Sequence, residues 1–235
     1  MSGLFSGNEL LWLILLILNF AGILAMYRFF GRIGLYAWVP IAVIIANIQV
    51  VKTVELFGIT SSLGNIVYAT SFLATDILSE NYGKKDAGKA VGIGFLSLLS
   101  LTVFMNIALL FKPAAVDFAQ ESMQALYSLL PRIALGSFVA FGVSQIHDVW
   151  AYALMKKHWP EGKWIWIRNN VSTMFSQAID TMIFVCIAFA GKLPAEAFWQ
   201  LVLSTYLLKW LVAAADTPLV YLAVRWKKQN KINET

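Results

Sequence analysis

The chain has 235 residues, of which 59% are hydrophobic and only 13% are charged, and its mean hydropathy is +0.69. So few charges would not keep a soluble protein dispersed, and apolar runs of roughly 18 residues or more recur along the chain. We therefore predict an integral membrane protein. The net charge of +5 requires no nucleic-acid partner, because basic residues are expected in cytoplasmic loops. Cys186 is the single cysteine, which excludes an intramolecular disulfide.

The hydropathy pattern predicts seven membrane-spanning helices in one all-α transmembrane domain. The apolar segments cover residues 9–28, 35–54, 62–80, 88–111, 130–155, 165–190 and 197–224. The longest connection, 112–129, is predicted to be a surface loop with a short interfacial helix. The first segment lacks the basic start and the cleavage site of a signal peptide, so we interpret it as a retained helix.

The basic residues predict the orientation of these helices. With the N-terminus outside and the C-terminus inside, the inner loops and the tail hold 13 of the 18 Lys and Arg residues. These are Arg28, Arg32, Lys84, Lys85, Lys89, Lys156, Lys157, Lys163, Arg168, Arg225, Lys227, Lys228 and Lys231. The outer side holds Lys52, Lys112, Arg132 and Lys192, and Lys209 is left in mid-span.

Polar residues lie inside several predicted spans, where a charged side chain costs about 2.5–3.5 kcal/mol and usually faces a partner or a wet cavity. At about 100° per residue, one face of the sixth segment is a polar stripe. It consists of Asn169, Thr173, Ser176, Gln177 and Asp180.

Four other spans also carry polar groups, and those of the third, fifth and seventh overlap in depth with the stripe of the sixth. Gln145 and Asp148 share one face of the fifth segment, and Lys209 lies near the middle of the seventh. The third segment contributes Asp76 and Glu80 toward its inner end. The outer end of the second segment adds Asn47, Gln49 and Lys52. Convergent amide, carboxylate and ammonium groups favour a small polar ligand with several donors and acceptors.

Structural roles remain alternatives for single members of this set. Amides and hydroxyls often join membrane helices through hydrogen bonds worth about 0.6–2 kcal/mol. Asp180 and Lys209 are alternatively a structural ion pair, and Glu80 is alternatively the solvated end of its helix. Gly88 and Gly92 are typical of a helix-packing face.

Two other protein classes fit the sequence less well. His147 and His158 form no H-E-x-x-H motif, and no nucleophile motif accompanies them, so we predict no enzyme, no metal and no cofactor. A lysine in the last of seven helices also describes a microbial rhodopsin. The acid expected four residues before Lys209 is missing, however, and Asp76 lies too close to the inner end.

Four stretches of the chain carry a resemblance. They read NIQVVK from residue 47, SFLATDILSENYGKKDAGKAVGIGF from residue 71, QIHDVWAY from residue 145 and WIRNNVSTMFSQAIDTMIF from residue 166. In this order, across residues 40–215, they resemble the queuosine precursor transporter family, also called the vitamin uptake transporter family. Ala69 departs from the pattern, because some relatives have proline there.

The resemblance implies a fold and a substrate. The family is similar to the six-helix S-components of energy-coupling-factor transporters, so residues 1–30 would be an added helix before a core at 35–224 and a basic tail at 225–235. Its members are implied to import 7-cyano-7-deazaguanine or 7-aminomethyl-7-deazaguanine for tRNA modification, across the plasma (inner) membrane of a prokaryote. An S-component-like importer of another planar vitamin or nucleobase is the alternative.

A deazaguanine presents N1–H and N2–H donors beside an O6 acceptor, and a carboxylate can accept both donors. We predict that this edge is bound by one of Asp76, Glu80, Asp148 or Asp180. The amides of Asn47, Gln145, Asn170 and Gln177 would satisfy the other polar atoms. The stacking face would come from Phe72, Tyr68 or Trp150. Gating or ion pairing is predicted for Lys52 and Lys209.

The expected partners are a deazapurine and the lipid bilayer, with no nucleic acid. No Walker A motif is present, so the chain is not expected to hydrolyse ATP. Facilitated import, proton coupling and separate motor subunits are all left open, as is a homo-oligomer.

Overall fold

A computed structural model describes residues 7–191 and 194–234, without the side chains of Ala197 and Ala213. Lys192, predicted on the outer side, and the first six residues of the predicted N-terminal region lie outside the described residues. The helices are α1 (Gly7–Gln49), α2 (Asn65–Asn81), α3 (Lys84–Ala108), α4 (Gln120–Tyr127), α5 (Leu130–His158), α6 (Ile165–Phe189) and α7 (Ala195–Lys228). Two strands, β1 (Thr53–Leu56) and β2 (Ile59–Ser62), lie between α1 and α2.

Helix α1 is a helical hairpin that reverses at Gly31. The φ of 54° and ψ of −133° at this residue are non-helical, and positive φ favours glycine. The halves of α1 pack on each other, since a Cβ atom on Gly22 would lie 2.6 Å from the Trp38 ring. These halves correspond to the first two predicted segments. The chain changes direction between them at Gly31, with no loop separating the two halves.

A β-hairpin lies between α1 and α2, where the second predicted helix was expected to continue to residue 54 and the third to begin at residue 62. Thr53 pairs with Ser62, and Leu56 pairs with Ile59. Phe57 and Gly58 both have positive φ, 53° and 75°, as a two-residue type I′ turn requires. The all-α prediction is therefore wrong for this segment. The alternating run Thr53–Leu56, followed by Phe57–Gly58, was the strand signal in the sequence.

Five helices of the described residues, α1, α3, α5, α6 and α7, are long and apolar enough to cross a membrane. Helix α2 is shorter, with 17 residues, and is buried along nearly its whole length because α1, α3 and α7 surround it. Helix α4 is the exposed short helix that was predicted between residues 112 and 129. The chain is thus a multi-pass membrane helix bundle with α2 at its centre.

The two ends of the bundle differ in charge. At one end, the backbone N–H of Asn233 donates to Arg28 O at 3.2 Å and the Tyr82 hydroxyl donates to Glu234 at 2.6 Å. This basic end joins the turn of α1 at Gly31, the α2–α3 and α5–α6 connections, and the end of α7. All 13 basic residues predicted for the inner side lie in these segments or within two turns of them in the adjoining helices. At the hairpin end, Asn8 Nδ2 donates to Glu55 O at 3.2 Å, and Ser204 Oγ donates to Thr60 O at 2.9 Å.

Candidate binding cavities

A small cavity with about 30 Å³ of free volume lies among α1, α2, α5, α6 and α7, in the half of the bundle nearer the hairpin end. We call it the hairpin cavity. It is lined by Ala46, Asn47, Val50, Gly64, Asn65, Tyr68, Ser137, Ala140, Asp180, Phe184 and Lys209. Three of the predicted site residues, Asn47, Asp180 and Lys209, therefore meet here although they come from three different helices.

Asp180 is the centre of the polar network in the hairpin cavity. Lys209 Nζ lies 2.5 Å from Asp180 Oδ2, and both side chains are buried. The Tyr68 hydroxyl and Ser144 Oγ donate to Asp180 Oδ1 at 2.8 and 3.2 Å. The Lys209 ammonium also lies 4.8 Å from the centroid of the Tyr68 ring, close enough for a cation–π contact. A carboxylate offers about four acceptor positions, so these three donors leave capacity for a ligand.

Asn47 is held in one orientation at the wall of the same cavity. Ser137 Oγ donates to Asn47 Oδ1 at 2.7 Å, and Asn47 Nδ2 donates to Val43 O at 2.8 Å. A side-chain amide has two N–H donors. One of them therefore remains for a ligand in the cavity.

An aromatic cluster supports this site. The rings of Tyr68, Phe72 and Phe141 contact one another edge to face, with centroids 5.5, 5.8 and 6.0 Å apart. Tyr68 lines the hairpin cavity, whereas Phe72 is buried behind it. The side chain of Trp150, the third predicted stacking candidate, is on the outer surface with 60% exposure.

Sequence analysis missed three residues of the site, Ser137, Phe141 and Ser144. All three lie on α5 at spacings of four and three, on the buried face that also carries Gln145 and Asp148. Extending the polar face of that segment back by two turns would have found them.

A second and larger cavity, the acid pocket, lies between α2 and α5 toward the basic end, with about 240 Å³ of free volume. It is lined by Thr75, Asp76, Ser79, Gly83, Lys84, Asp148, Val149, Tyr152 and Lys156. Asp76 and Asp148 are only 5% and 3% exposed. Asp76 Oδ2 and Asp148 Oδ1 accept no hydrogen bond from the described part of the chain, and neither residue has an ion-pair partner there.

Three other predicted site residues lie away from the hairpin cavity. Glu80 accepts a hydrogen bond from Tyr152 and lies 3.5 Å from both Arg168 and Lys156, in a charged cluster at the basic end. Asn170 donates to Trp166 O and, at 2.9 Å, to Thr217 Oγ1 near the same end. Lys52 is exposed beside the β-hairpin. The functional roles of all three stay predictions.

The last two predicted residues, Gln145 and Gln177, are buried amides. They are 2% and 0% exposed, and their side-chain N and O atoms find no hydrogen-bond partner among the described residues. Gln145 precedes Asp148 by three residues on α5, and Gln177 precedes Asp180 by three residues on α6. A buried polar group without a partner costs about 1–3 kcal/mol, so these amides are available to bind a ligand or water.

Comparison with known proteins gives the family. Residues 62–223 match the family model described as "Putative vitamin uptake transporter". The chain belongs to this family. One relative matches nearly the whole chain. The chain is 44% identical over 216 residues to the "Probable queuosine precursor transporter" of Bacillus subtilis (strain 168), across 92% of this chain and 94% of the relative.

Two further relatives carry similar names. A "Probable queuosine precursor transporter" of Haemophilus influenzae (strain ATCC 51907 / DSM 11121 / KW20 / Rd) is 30% identical over 158 residues, across 65% of this chain and 63% of the relative. The "Queuosine precursor transporter" of Escherichia coli (strain K12) is 25% identical over 171 residues, across 72% and 74%. No solved structure matches the chain. The resemblance predicted from the four motifs is thereby confirmed.

Proposed function

We propose that this vitamin uptake transporter imports a queuosine precursor, 7-cyano-7-deazaguanine or its 7-aminomethyl relative, for tRNA modification. The names of the three relatives support this substrate class. The observation that carries the proposal is the buried Asp180 carboxylate, which keeps acceptor capacity beside Tyr68 and Lys209 in the hairpin cavity.

The groups of the hairpin cavity match the polar edge of a deazaguanine. One N–H of the base's N1/N2 edge would donate to the acceptor position that Asp180 has left, and the remaining N–H of Asn47 would donate to O6. The face of the base would lie against Tyr68. A site of this kind rejects analogues that lack one of these groups, because its own buried polar atoms would be left without partners.

The proposed topology has seven crossings, with the N-terminus outside and the C-terminus inside the plasma (inner) membrane of a prokaryote. The gathering of 13 basic residues at one end of the bundle supports this orientation. The first half of α1 would be the addition to the six-helix core, and the hairpin cavity would lie toward the outside, where an importer must collect its substrate. In a Cys186→Ala background, a cysteine introduced at Asp117 should react with an impermeant maleimide in intact cells, and one at Lys231 should not.

Import of another planar vitamin is the second candidate, because the family description refers to vitamins in general. Such a ligand would use the same carboxylate, amide and aromatic ring. It differs from the first candidate in its hydrogen-bonding edge, so competition separates the two.

Calorimetry on the purified full-length protein tests the proposal. We expect saturable binding of 7-cyano-7-deazaguanine, competition by the aminomethyl analogue, and weaker competition by riboflavin. Asp180→Asn should weaken binding about 10- to 100-fold, because a hydrogen bond to a charged group contributes about 1.5–3 kcal/mol. Asp117→Asn is the matched control, since Asp117 lies in an exposed loop where its carboxylate accepts hydrogen bonds from the backbone N–H groups of Ala119 and Gln120.

The melting temperature of each variant shows whether it is folded. Folded wild-type protein that binds riboflavin and no deazapurine would favour the second candidate. Folded wild-type protein that binds neither would remove the hairpin cavity as a site for planar bases.

A further inference from the structure

The acid pocket is separate from the hairpin cavity. The two cavities share no lining residue. Along α2, Tyr68 of the hairpin cavity and Asp76 of the acid pocket are eight residues apart, or about 12 Å at 1.5 Å per residue. A base bound against Tyr68 would therefore leave Asp76 and Asp148 without a partner, and they require another explanation.

The charged groups around the acid pocket leave an excess of carboxylates. Asp76 interacts electrostatically with Asp148 on α5, Asp216 on α7 and Glu80 on its own helix. Glu80 is already compensated by Arg168 of α6 and Lys156 of α5. Lys84 of α3 lines the pocket at its basic-end side, without an ion pair to any described carboxylate. The other titratable groups of α5 near the pocket are Tyr152, which donates to Glu80, and His147, which contacts Ser176 at 2.9 Å.

Asp76, Asp148 and Asp216 thus lie within the bundle without an ion-pair partner among the described residues. Asn169 Nδ2 is 3.5 Å from Asp216, and the hydroxyls of Ser172 and Ser176 lie beside Asp148. These neutral groups do not cancel a negative charge. An isolated carboxylate in a low-dielectric environment must acquire a positive charge or a proton.

The lining chemistry points to a hard cation. Asp76 Oδ2 and Asp148 Oδ1 lack hydrogen-bond donors in the described part of the chain, and both residues line the empty volume. The hydroxyls of Thr75 and Ser79 line it as well, and Thr75 Oγ1 donates its proton to Phe72 O at 2.8 Å, which leaves its lone pairs free. Carboxylate and hydroxyl oxygens are the ligand types that hard cations take up, whereas soft metals prefer sulfur.

We propose that the acid pocket binds a monovalent cation, a sodium ion or a proton, on Asp76 and Asp148, and that this cation drives uptake. The binding site stands independently, while the coupling to uptake rests on the function proposed above. A cation bound here cancels one of the two negative charges of Asp76 and Asp148, while Asp180 stays paired with Lys209 in the hairpin cavity. The hairpin cavity would recognise the substrate, and the acid pocket would bind the cation that drives its uptake.

The first test needs no substrate. The melting temperature of the purified protein is measured while NaCl replaces choline chloride at constant ionic strength, and again between pH 6 and pH 8. A sodium site predicts a rise on the order of 5 °C at a hundredfold excess over Kd. A proton site predicts no sodium effect and a higher melting temperature at pH 6, because protonation removes the uncompensated charge. Either response should disappear in Asp148→Asn and in Asp76→Asn, and persist in Asp117→Asn.

The second test uses proteoliposomes and labelled 7-cyano-7-deazaguanine. A tenfold inward sodium gradient, or an outside-acid gradient of one pH unit, should drive about tenfold accumulation for one cation per substrate. Asp76→Asn and Asp148→Asn should lose this accumulation, whereas Asp117→Asn should keep it. Thr75→Val keeps both carboxylates and should reduce only a sodium response.

The outcomes separate the two proposals. No melting response to sodium or pH, in a wild-type protein that exchanges substrate without gradient dependence, would overturn the cation site. A cation response in the first test with no deazapurine uptake in the second would keep the cation site and count against the proposed substrate. Gradient-driven uptake that survives in both aspartate variants would also overturn the assignment.

Discussion

Asp180 and Asp148 are both aspartates buried in the helix bundle, at 1% and 3% exposure, yet their surroundings differ in charge. Asp180 has Lys209 at 2.5 Å and two hydroxyl donors. Asp148 has no ion-pair partner within the described residues, and one of its oxygens accepts no hydrogen bond there. The first carboxylate is compensated by the protein itself, and the second depends on something that the protein binds.

This difference assigns different chemistry to the two cavities. A paired carboxylate with spare acceptor capacity can take a neutral ligand that donates hydrogen bonds, since the added ligand does not have to bring a charge. An uncompensated carboxylate favours a cation. The comparison also predicts different effects of mutation on stability. Removing Lys209, the partner of Asp180, should lower the free energy of unfolding most, and removing the Asp148 carboxylate should lower it least.

The largest expected effect is on Lys209→Met. It leaves the Asp180 charge buried and unpaired, and breaking a buried pair from one side typically costs about 3–5 kcal/mol in the free energy of unfolding. Unfolding in mixed micelles titrated with sodium dodecyl sulfate measures this cost. Lys112→Met is the matched control, because Lys112 is exposed in the connection between α3 and α4.

Two companion variants sharpen that result. Lys209→Met combined with Asp180→Leu should recover most of the lost stability, because an apolar pair can replace a buried ion pair at little cost. Asp148→Asn should cost less than about 1 kcal/mol, since no ion pair is lost. Equal losses for Lys209→Met and Asp148→Asn would contradict the distinction between the paired and the unpaired carboxylate.

The next effect concerns Gln177, the buried amide one turn from Asp180. We expect Gln177→Leu to keep or raise the melting temperature, because it removes two buried polar atoms that lack partners. Binding of 7-cyano-7-deazaguanine should weaken about tenfold, or about 1.4 kcal/mol, if this amide serves the ligand. Gln124→Leu on the exposed helix α4 is the control. Unchanged affinity together with raised stability would show that Gln177 only packs between helices.

Much of this arrangement was predictable from periodicity. The polar stripe from Asn169 to Asp180 is buried, as the spacing on one helix face indicated, and every member faces the interior. Lys209 is a mid-span charge that needs a partner. An ion pair between Lys209 and Asp180 was one of the interpretations that the sequence left open. Local spacing determines these features because the bilayer forces polar groups to the inside of the bundle.

Other features depend on contacts that hydropathy does not report. Hydropathy gives the length of an apolar run but not the direction of its helix, so it does not reveal the reversal of α1 at Gly31. It also does not reveal the short β-hairpin at residues 53–62, which lies between two long apolar runs. Asp76, Asp148 and Asp180 look alike in the sequence. Their difference arises from whether a lysine on α7 reaches each of them, which only the packing of helices determines.

The smallest expected effect comes from Ser144→Ala, which removes one neutral donor from the same carboxylate that Lys209 compensates. The bond is long, at 3.2 Å, and Asp180 keeps both Lys209 and Tyr68. We expect a loss of about 0.5–1.5 kcal/mol in the free energy of unfolding and retained substrate binding. The ratio between this loss and that of Lys209→Met measures how far charge, rather than the number of hydrogen bonds, holds Asp180 in place. A loss for Ser144→Ala as large as that for Lys209→Met would instead mean that the network acts as one cooperative unit.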